Sequence, residues 1–592
     1  MVYDLSKTYY ISILTTGIEN YKNNNNTRIF YYCLMDSNGK LVIKSNNLDD
    51  LFIYVSKLKT QVTIYNHGFD FYVNHIENYL LENNYTCSNK SFFERLDWME
   101  YSVLRNNLNY VYNLKVKINS HSYITFLDSA KLFNIPIKKL VLNFYESYTE
   151  TQDRFYTKES KPTKQEFINM VKECNTIRQL VNSVLLENGV SKMTRSAYAF
   201  YNLRKSYNKY NNDMFDKHFY KIDVDEHNKL RKAYFGGIVY LKENIENKII
   251  DNVDIYDINS SYSSSMRNDE LPYGEYSEFD GLYSGDKELY IQKLKCGFKL
   301  KEKGIPFLAK KWNKFKDPIL SDKDLMDDFK ILHLTNIDLK MFFENYYITT
   351  EIEWLGGWEF NSKKEMFKEY IDEKMDKKVI ARQNGNVIDE LNAKLDMNAG
   401  YGKFGQSVDM VRKTTILKDE MLDFNNKQSN ESAQNYLPMA IFIASHARKR
   451  LMDVATKYYD RLLYTDTDSV HLISKDLDTK YIPIDKSKLG FWKLENRCKR
   501  VKYIAEKTYL IEKTDGEKIL KASGVTDDIR KENADFEKIY VGCEINMKQS
   551  QMVKGGAVRL PVKKTLGRLS LETMKKYLFN DTIAWQSSNN KL

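Results

Sequence analysis

"YTDTDSVH", Tyr464 to His471, sets two carboxylates, Asp466 and Asp468, one residue apart inside an apolar run, with "RLLY" before it and "VHLI" after it. The flanks have the apolar and β-branched content of strands, so the segment reads as two short strands joined by a tight acidic turn. Aspartate and threonine are ordinary turn residues, and a solvated hairpin end would use them too. Flanks this apolar favour a buried turn instead, whose convergent acids repel unless a cation lies between them.

Upstream, "NKIIDNVDIYDINSSYSSSM" reads as a strand ending at Asp257, followed by amides, hydroxyls and one ring that suit a bound anion. Helical periodicity runs from about Lys364 to Phe404 and breaks at "RQNGN", where Asn384, Gly385 and Asn386 predict a turn, so this is a helical hairpin. Within it, "KLDMNAGYGKFG" spaces Lys394, Asn398 and Tyr401 at i, i+4 and i+7 on one face, and Lys378 and Arg382 are four apart on the preceding helix. Such a basic face alone is more often solvated helix surface. "YLPMAIFIASHARKRLMDVATKYYDR" predicts a further long helix with Pro438 in its tolerant first turn. Together the segments describe a nucleotidyl transferase in which acids hold two divalent ions and a basic helix neutralises a triphosphate. Magnesium's preference for oxygen ligands is consistent with the lack of histidine clusters.

The wider chain fits a large multidomain protein. Its 592 residues suffice for about three or four domains. A net charge of +10 with 44 tyrosines and 30 phenylalanines suits a nucleic-acid partner, although a low-GC coding bias would give the same composition. The six cysteines show no C-x-x-C pairing and read as reduced core thiols of a cytosolic protein. The N-terminus lacks a signal-peptide pattern and no apolar run approaches membrane-spanning length, so neither secretion nor membrane insertion is expected. Residues 1 to about 190 alternate strand patterns with amphipathic helices, an α/β or α+β domain, followed by the polar connector "NLRKSYNKYNNDMFDKH".

These motifs resemble those of family B DNA polymerases. "DINSSYSS" is similar to motif A, "KLDMNAGYGKFG" to motif B, "YTDTDS" to motif C and "KTY" at Lys507 to Tyr509 to the K-x-Y motif, in that order. "YFGG" at Tyr234 to Gly237, "LPMAIFIASHAR", "KLGFWKLE", "ASGVTDDIRK" and "VKGGAVRLPVKKT" resemble segments of the protein-primed branch found in small tailed bacteriophages. The fold this implies is a multidomain α+β and α/β right hand preceded by an RNase H-like exonuclease-type domain at residues 1–190. In the polymerase domain, 191–592, the palm would comprise about 191–304, 357–363, 403–405 and 437–535, with fingers at 364–402 and thumb at 536–592. Residues 305–356 resemble the insertion that docks a priming protein, and 406–436 the insertion that encloses template and enables strand displacement.

The resemblance implies residue roles. Asp257 and Asp468 would bind two Mg2+, or Mn2+, with Asp466 in the same cluster, and the backbone at Ile258 would contact the triphosphate. Tyr262 would stack under the sugar and exclude a 2′-hydroxyl; Lys394 with Lys378 or Arg382 would grip the triphosphate, Lys394 also protonating pyrophosphate. Asn398 and Tyr401 would line the nascent base pair, and Lys507 and Tyr509, two apart on a strand face, would hold the primer end. Tyr234, Gly236, Gly237, Arg448, Ser129 and Lys131 are DNA-contact candidates. Departures are Ser261 and Ser263, where the branch usually has Leu and Pro, and Asn398-Ala399 in place of Asn-Ser.

The exonuclease motifs fare differently. N-x-x-F-D persists as "NHGFD", with Asn66 and Asp70, but Ser12 and Leu14 stand in place of the D-x-E acids, and Lys172 and Thr176 in place of the Tyr and Asp of Y-x-x-x-D. One carboxylate cannot hold two magnesium ions, so this reading expects a domain without 3′–5′ proofreading that still binds single-stranded DNA. The expected partners are template and primer DNA, dNTPs and a separate terminal (priming) protein. The chain is expected to act as a monomer in the cytoplasm of a bacterial host, encoded by a phage or mobile element. The alternatives are a relative that needs no protein primer or extends untemplated DNA, and a non-catalytic DNA-binding scaffold. Intact acids that repel DNA speak against a scaffold.

Overall fold

A computed structural model describes residues 4–17, 22, 26–90, 94–106, 109–149, 156–157, 160–310, 313–314, 331–406, 410–429 and 435–567. The C-terminal tail expected in the thumb, most of 311–330 in the docking insertion, and 407–409 and 430–434 in the strand-displacement insertion lie outside them. The chain forms two compact units, each built from discontinuous segments.

The first unit comprises 1–227, 367–437 and 549–560. Its centre is an eight-stranded mixed sheet of β1 (Thr8–Thr15), β2 (Ile29–Asp36), β3 (Leu41–Ser45), β4 (Gln61–Asn66), β5 (Thr86–Cys87), β6 (Glu100–Arg105), β7 (Val111–Lys117) and β8 (Tyr123–Asp128), in the order β3-β2-β1-β4-β8-β7-β6-β5. The central β1, β4 and β8 run parallel. Strands covered on both faces need no polar side, and β8 is buried at five of six positions. One face packs on helices Asp49–Leu58 and Phe69–Glu82 through Leu51, Val55, Val73 and Ile76. The other packs on Lys164–Asn188 through Met170, Cys174, Ile177 and Val181. That long helix starts in a capping box, Thr163 with Glu166, and stops at Gly189, whose φ of 66° is left-handed. The connector expected near residue 200 is helical over Arg195–Tyr207 and Met214–His218.

The helical hairpin is present as Lys368–Gln383 and Val387–Ala399, and it is pinned from its buried side. Asp396 receives Arg195 at 2.7 Å and Lys374 at 3.3 Å, and Arg195 also donates to Asn392. A second hairpin, Met410–Lys418 with Met421–Ser429, is anchored by a buried cluster in which Arg105 pairs with Glu77 and Thr415 Oγ1 donates to Glu77 at 2.6 Å.

The second unit comprises 228–366, 438–548 and 561–592. Its seven-stranded antiparallel sheet has the order Lys518–Ala522, Thr508–Lys513, Trp492–Ala505, β10 (Ile249–Ile258), Ser469–Ile473, Leu462–Asp466, β9 (Val239–Leu241). A four-stranded sheet of Leu271–Phe279, Glu353–Lys363, Leu289–Lys295 and Leu332–Thr335 lies in the same unit. The long helix forms over Leu437–Ala455 with Pro438 in its first turn. Among the described residues no helix is long and apolar enough to cross a membrane, and all six cysteines are unpaired.

Candidate active site

The acidic turn forms where two antiparallel strands meet, with Asp466 opposite Ser469. Thr467 bridges them at φ 60°, a left-handed conformation that a β-branched residue rarely adopts. Its N–H donates to the Ile238 carbonyl at 2.8 Å, which explains the second glycine of "YFGG": a Cβ on Gly237 would lie 2.7 Å from the Thr467 side chain. Only glycine lets the backbone come this close. Asp257 stands at the end of β10, opposite Ser469, and the Ile258 N–H donates to the Asp468 carbonyl at 2.8 Å. The ladder thus brings Asp257 beside the turn.

Each acid has a distinct environment. Asp257 Oδ1 accepts from Lys493 Nζ at 2.6 Å. Asp466 receives Lys507 Nζ on both oxygens, at 2.7 and 2.9 Å, and is further held by Thr467 Oγ1 and Tyr464 Oη. Asp468 is pushed up to about 7, first by burial, then by the charges of Asp257 and Asp466, with Lys493 partly offsetting them. The charges of Asp257 and Asp466 thus both reach Asp468. Among the described residues no three Asp, Glu, His or Cys side chains converge closely enough to hold one ion. Asp466 is turned to Lys507 and Asp257 to Lys493.

After Asp257 the chain turns through Ser260, at φ 47°, into the short helix Ser261–Asn268. Ser261 and Ser263 are buried there, and the electrostatic influence of Tyr262 reaches the half-buried Tyr234. Lys507 departs from expectation: it lies in the turn before Thr508–Lys513, at φ 59°, so it does not share a strand face with Tyr509. Its N–H donates to Tyr464 Oη at 2.9 Å, and Tyr509 packs edge-on against His471, ring centroids 5.0 Å apart. Arg448 is corrected as a DNA contact. Its side chain is 1% exposed and tied to Asp338 at 2.7 Å and to the Phe235 and Gly236 carbonyls, so it holds "YFGG" in place from below.

On the helical hairpin, Lys394 and Asn398 are exposed on the face opposite the buried Asn392 and Asp396; Tyr401 follows in a 3₁₀ turn, Tyr401–Lys403. Lys378 is half-buried, whereas Arg382 is exposed and engaged by Glu390 at 2.5 Å.

The N-terminal acids form a second cluster. Asp70 lies in the first turn of Phe69–Glu82, and Asp128 ends β8, with Asn66 opposite Asp128 across the ladder. Lys131 Nζ sits 2.7 Å from Asp70 and 3.8 Å from Asp128, beneath the rings of Tyr110 and Tyr112. Burial raises Asp128 to about 6. Ser129 is corrected as a DNA contact, because it is 1% exposed and bonds to the Asn66 carbonyl and to His67. Lys172 reaches the Ser147 carbonyl and Thr176 is buried, while Glu173, overlooked in the sequence, accepts from Ser12 Oγ at 2.6 Å and from Tyr148. Helix Lys164–Asn188 turns Glu173 toward β1, and burial raises its pKa. The signal available was its place in "KECNT", one residue from the position chosen.

The comparisons point one way. A family model described as DNA polymerase type B, organellar and viral, matches residues 165–487. The DNA polymerase of Bacillus phage phi29 is 30% identical over 549 residues, spanning 87% of this chain and 91% of that protein. That of Bacillus phage M2 is 28% identical over 550 residues, 87% of this chain and 92% of its own length. The solved structure of phi29 DNA polymerase complexed with primer-template DNA superposes with a TM-score of 0.83 at 26% identity, covering 95% of this chain and 100% of that one. A ternary complex of that polymerase with primer-template DNA and incoming nucleotide gives 0.81 at 26% identity, with the same coverage.

Proposed function

The chain belongs to the type B DNA polymerases of the organellar and viral family, alongside the phage enzymes of the phi29 kind, and from that premise we propose that it copies a DNA template by two-metal nucleotidyl transfer from a protein primer. The observation that carries the reading is the meeting of Asp257, at the end of β10, with the Asp466–Asp468 turn, where burial first and then the charges of Asp257 and Asp466 raise the Asp468 carboxyl. Hard oxygen donors of this kind fit Mg2+ or Mn2+, with Asp257 and Asp468 as ligands and Asp466 beside them. When bound, the ions supply Lewis-acid activation of the attacking hydroxyl and charge neutralisation at the triphosphate.

The chain's own residues do the rest. Ile258 presents backbone beside Asp257; Tyr262 lies beneath the sugar and excludes a 2′-hydroxyl. Lys394, with Lys378 rather than the Glu390-engaged Arg382, grips the triphosphate, and Lys394 returns a proton to pyrophosphate. Asn398 and Tyr401 flank the new base pair, Lys507 and Tyr509 hold the primer end, and Tyr234 with Gly236 and Gly237 guides the template. The hairpin Met410–Ser429, fastened through Thr415 to Glu77, supports a strand-displacing role. The partners of this reading are template, primer, dNTPs and a separate priming protein, in the cytoplasm of an infected bacterium, with the chain acting as a monomer.

The same reading makes the N-terminal domain inactive in proofreading. Ser12 and Leu14 supply no carboxylate, and Lys131 occupies Asp70. Template-directed primer extension with Mg2+ tests the polymerase, and activity retained by Asp468→Ala would overturn the assignment. Labelled single-stranded DNA incubated with metal and no nucleotide tests the second claim; trimming from the 3′ end would sink it.

A further inference from the structure

Lys493 belongs to "KLGFWKLE" and is distinct from the residues that hold the metal ions, nucleotide and DNA in the polymerase reading. In the antiparallel ladder between β10 and Trp492–Ala505, a register shift between Ile255 and Tyr256 sets Tyr256 opposite Leu494 and Asp257 opposite Lys493. Side chains directly opposite one another on antiparallel strands share a face about 5 Å apart. The fold therefore dictates the meeting of Lys493 Nζ with Asp257 Oδ1, at 2.6 Å. The lysine side chain is 37% exposed and the aspartate 21%, so the pair is open to water on one side. An ion pair of this exposure is weak and exchangeable, unlike one sealed in a core. Lysine suits exchange because its charge sits at the end of a flexible stem, with no planar fork to fix it.

Resting on the polymerase reading above, we propose that Lys493 is a positioning residue of the active site: its ammonium is a tethered counter-cation for Asp257 that a divalent ion displaces, and this competition sets the ion concentration at which the site fills. Without an ion, the lysine neutralises Asp257 and keeps its carboxylate aimed along β10. When an ion takes the Oδ1 position, the N–H···O bond breaks and the ammonium moves out on its stem. The lysine thus keeps the acids folded when ion is scarce and raises the ion concentration needed for occupancy.

The test is a Mn2+ titration of the full chain without DNA or nucleotide, followed by loss of the free-ion electron paramagnetic resonance signal. Lys493→Met should bind Mn2+ about tenfold more tightly at low ionic strength, since a positive charge a few ångströms from the ion is removed. Lys493→Arg, whose planar fork holds Asp257 more firmly, should bind Mn2+ more weakly than the parent chain, and in an Asp257→Asn background the gain from Lys493→Met should be much smaller. The Mg2+ concentration giving half-maximal primer extension should fall in parallel. Lys493→Gln stands in if the methionine variant melts early. Affinity unchanged or weakened in a folded neutral variant overturns the proposal. A parent chain that extends primers while Lys493→Met shows no shift overturns the lysine's role alone. A chain that shows the Mn2+ pattern but never extends a primer overturns the polymerase reading and leaves the lysine's role standing.

Discussion

The acidic turn and the C-terminal ends of the central strands β4 and β8 are both places where a lysine meets carboxylates, and they differ in how firmly the lysine is held. At the turn, Lys493 and Lys507 are 37% and 50% exposed, and three acids remain. At the ends of the central strands, Lys131 is 19% exposed, lies under two tyrosine rings and reaches two acids, while Ser12 and Leu14 occupy the strand where further acids are expected. Farther along this scale is Arg105 with Glu77, 1% and 0% exposed, a pair that never opens. An ammonium that water can reach is a placeholder for another cation, and one that is packed in has become part of the scaffold.

The sharpest way to break this contrast is to remove one acid from each cluster. Asp468→Asn should lower primer extension on the order of 10³-fold, because one lost electrostatic contact in a preorganised site costs that much. Asp70→Asn should leave extension rates unchanged on the same template. Equal losses in both would mean that the N-terminal cluster also serves the chemistry. Next in size is the sealed pair: Glu77→Gln leaves Arg105 charged and buried, which should cost about 3–5 kcal/mol by denaturant unfolding. Replacing both with methionine and leucine should recover most of that loss.

A third variant asks whether the N-terminal cluster can be rebuilt. Ser12→Asp would put a carboxylate against Glu173, which Ser12 now touches at 2.6 Å. Two acids in contact, one of them already raised in pKa by burial, should destabilise the protein by about 1–3 kcal/mol. Millimolar Mn2+ should restore part of that loss in Ser12→Asp and none in the parent. A thermal midpoint insensitive to Mn2+ in both would show that the strand no longer presents a metal-binding face.

Much of this was legible because strand and turn chemistry is local. The acidic hairpin, the β10 terminus, the helical hairpin with its break at Gly385 and the Pro438 helix all follow from patterns a few residues long. What escaped depends on partners distant in sequence. Arg448 has the look of a DNA contact, yet its partner Asp338 lies on another helix, Asn336–Asn345. Ser129 follows an acid in a motif, but β8 buries it beneath His67. Lys493 could not be paired with Asp257 without the register of a ladder 236 residues apart, and Glu173 meets Ser12 only across 161 residues, once helix Lys164–Asn188 packs on β1.

The smallest effect concerns protons. His67 beside the N-terminal acids and His75 within helix Phe69–Glu82 are held near 4 by burial, below the ordinary value of 6.5, and His471 under the acidic turn is held near 3. Depressed folded values mean that the unfolded chain binds more protons between about pH 4 and 6.5. Stability is therefore fully present above pH 6.5 and falls as acid is added through that window. Asp128, raised to about 6, works in the opposite sense, since its folded form takes up the proton first. Asp468, raised to about 7, and Glu173, raised by burial, act in the same sense as Asp128, so the about 1–2 kcal/mol lost per histidine between pH 6.5 and 5 is offset in part by these acids. Unfolding followed at pH 8, 6.5 and 5 checks this, with His67→Gln losing less on acidification than the parent. If the variant tracks the parent at every pH, His67 is not one of the groups that opposes protonation, and the N-terminal cluster is less sealed than its lysine implies.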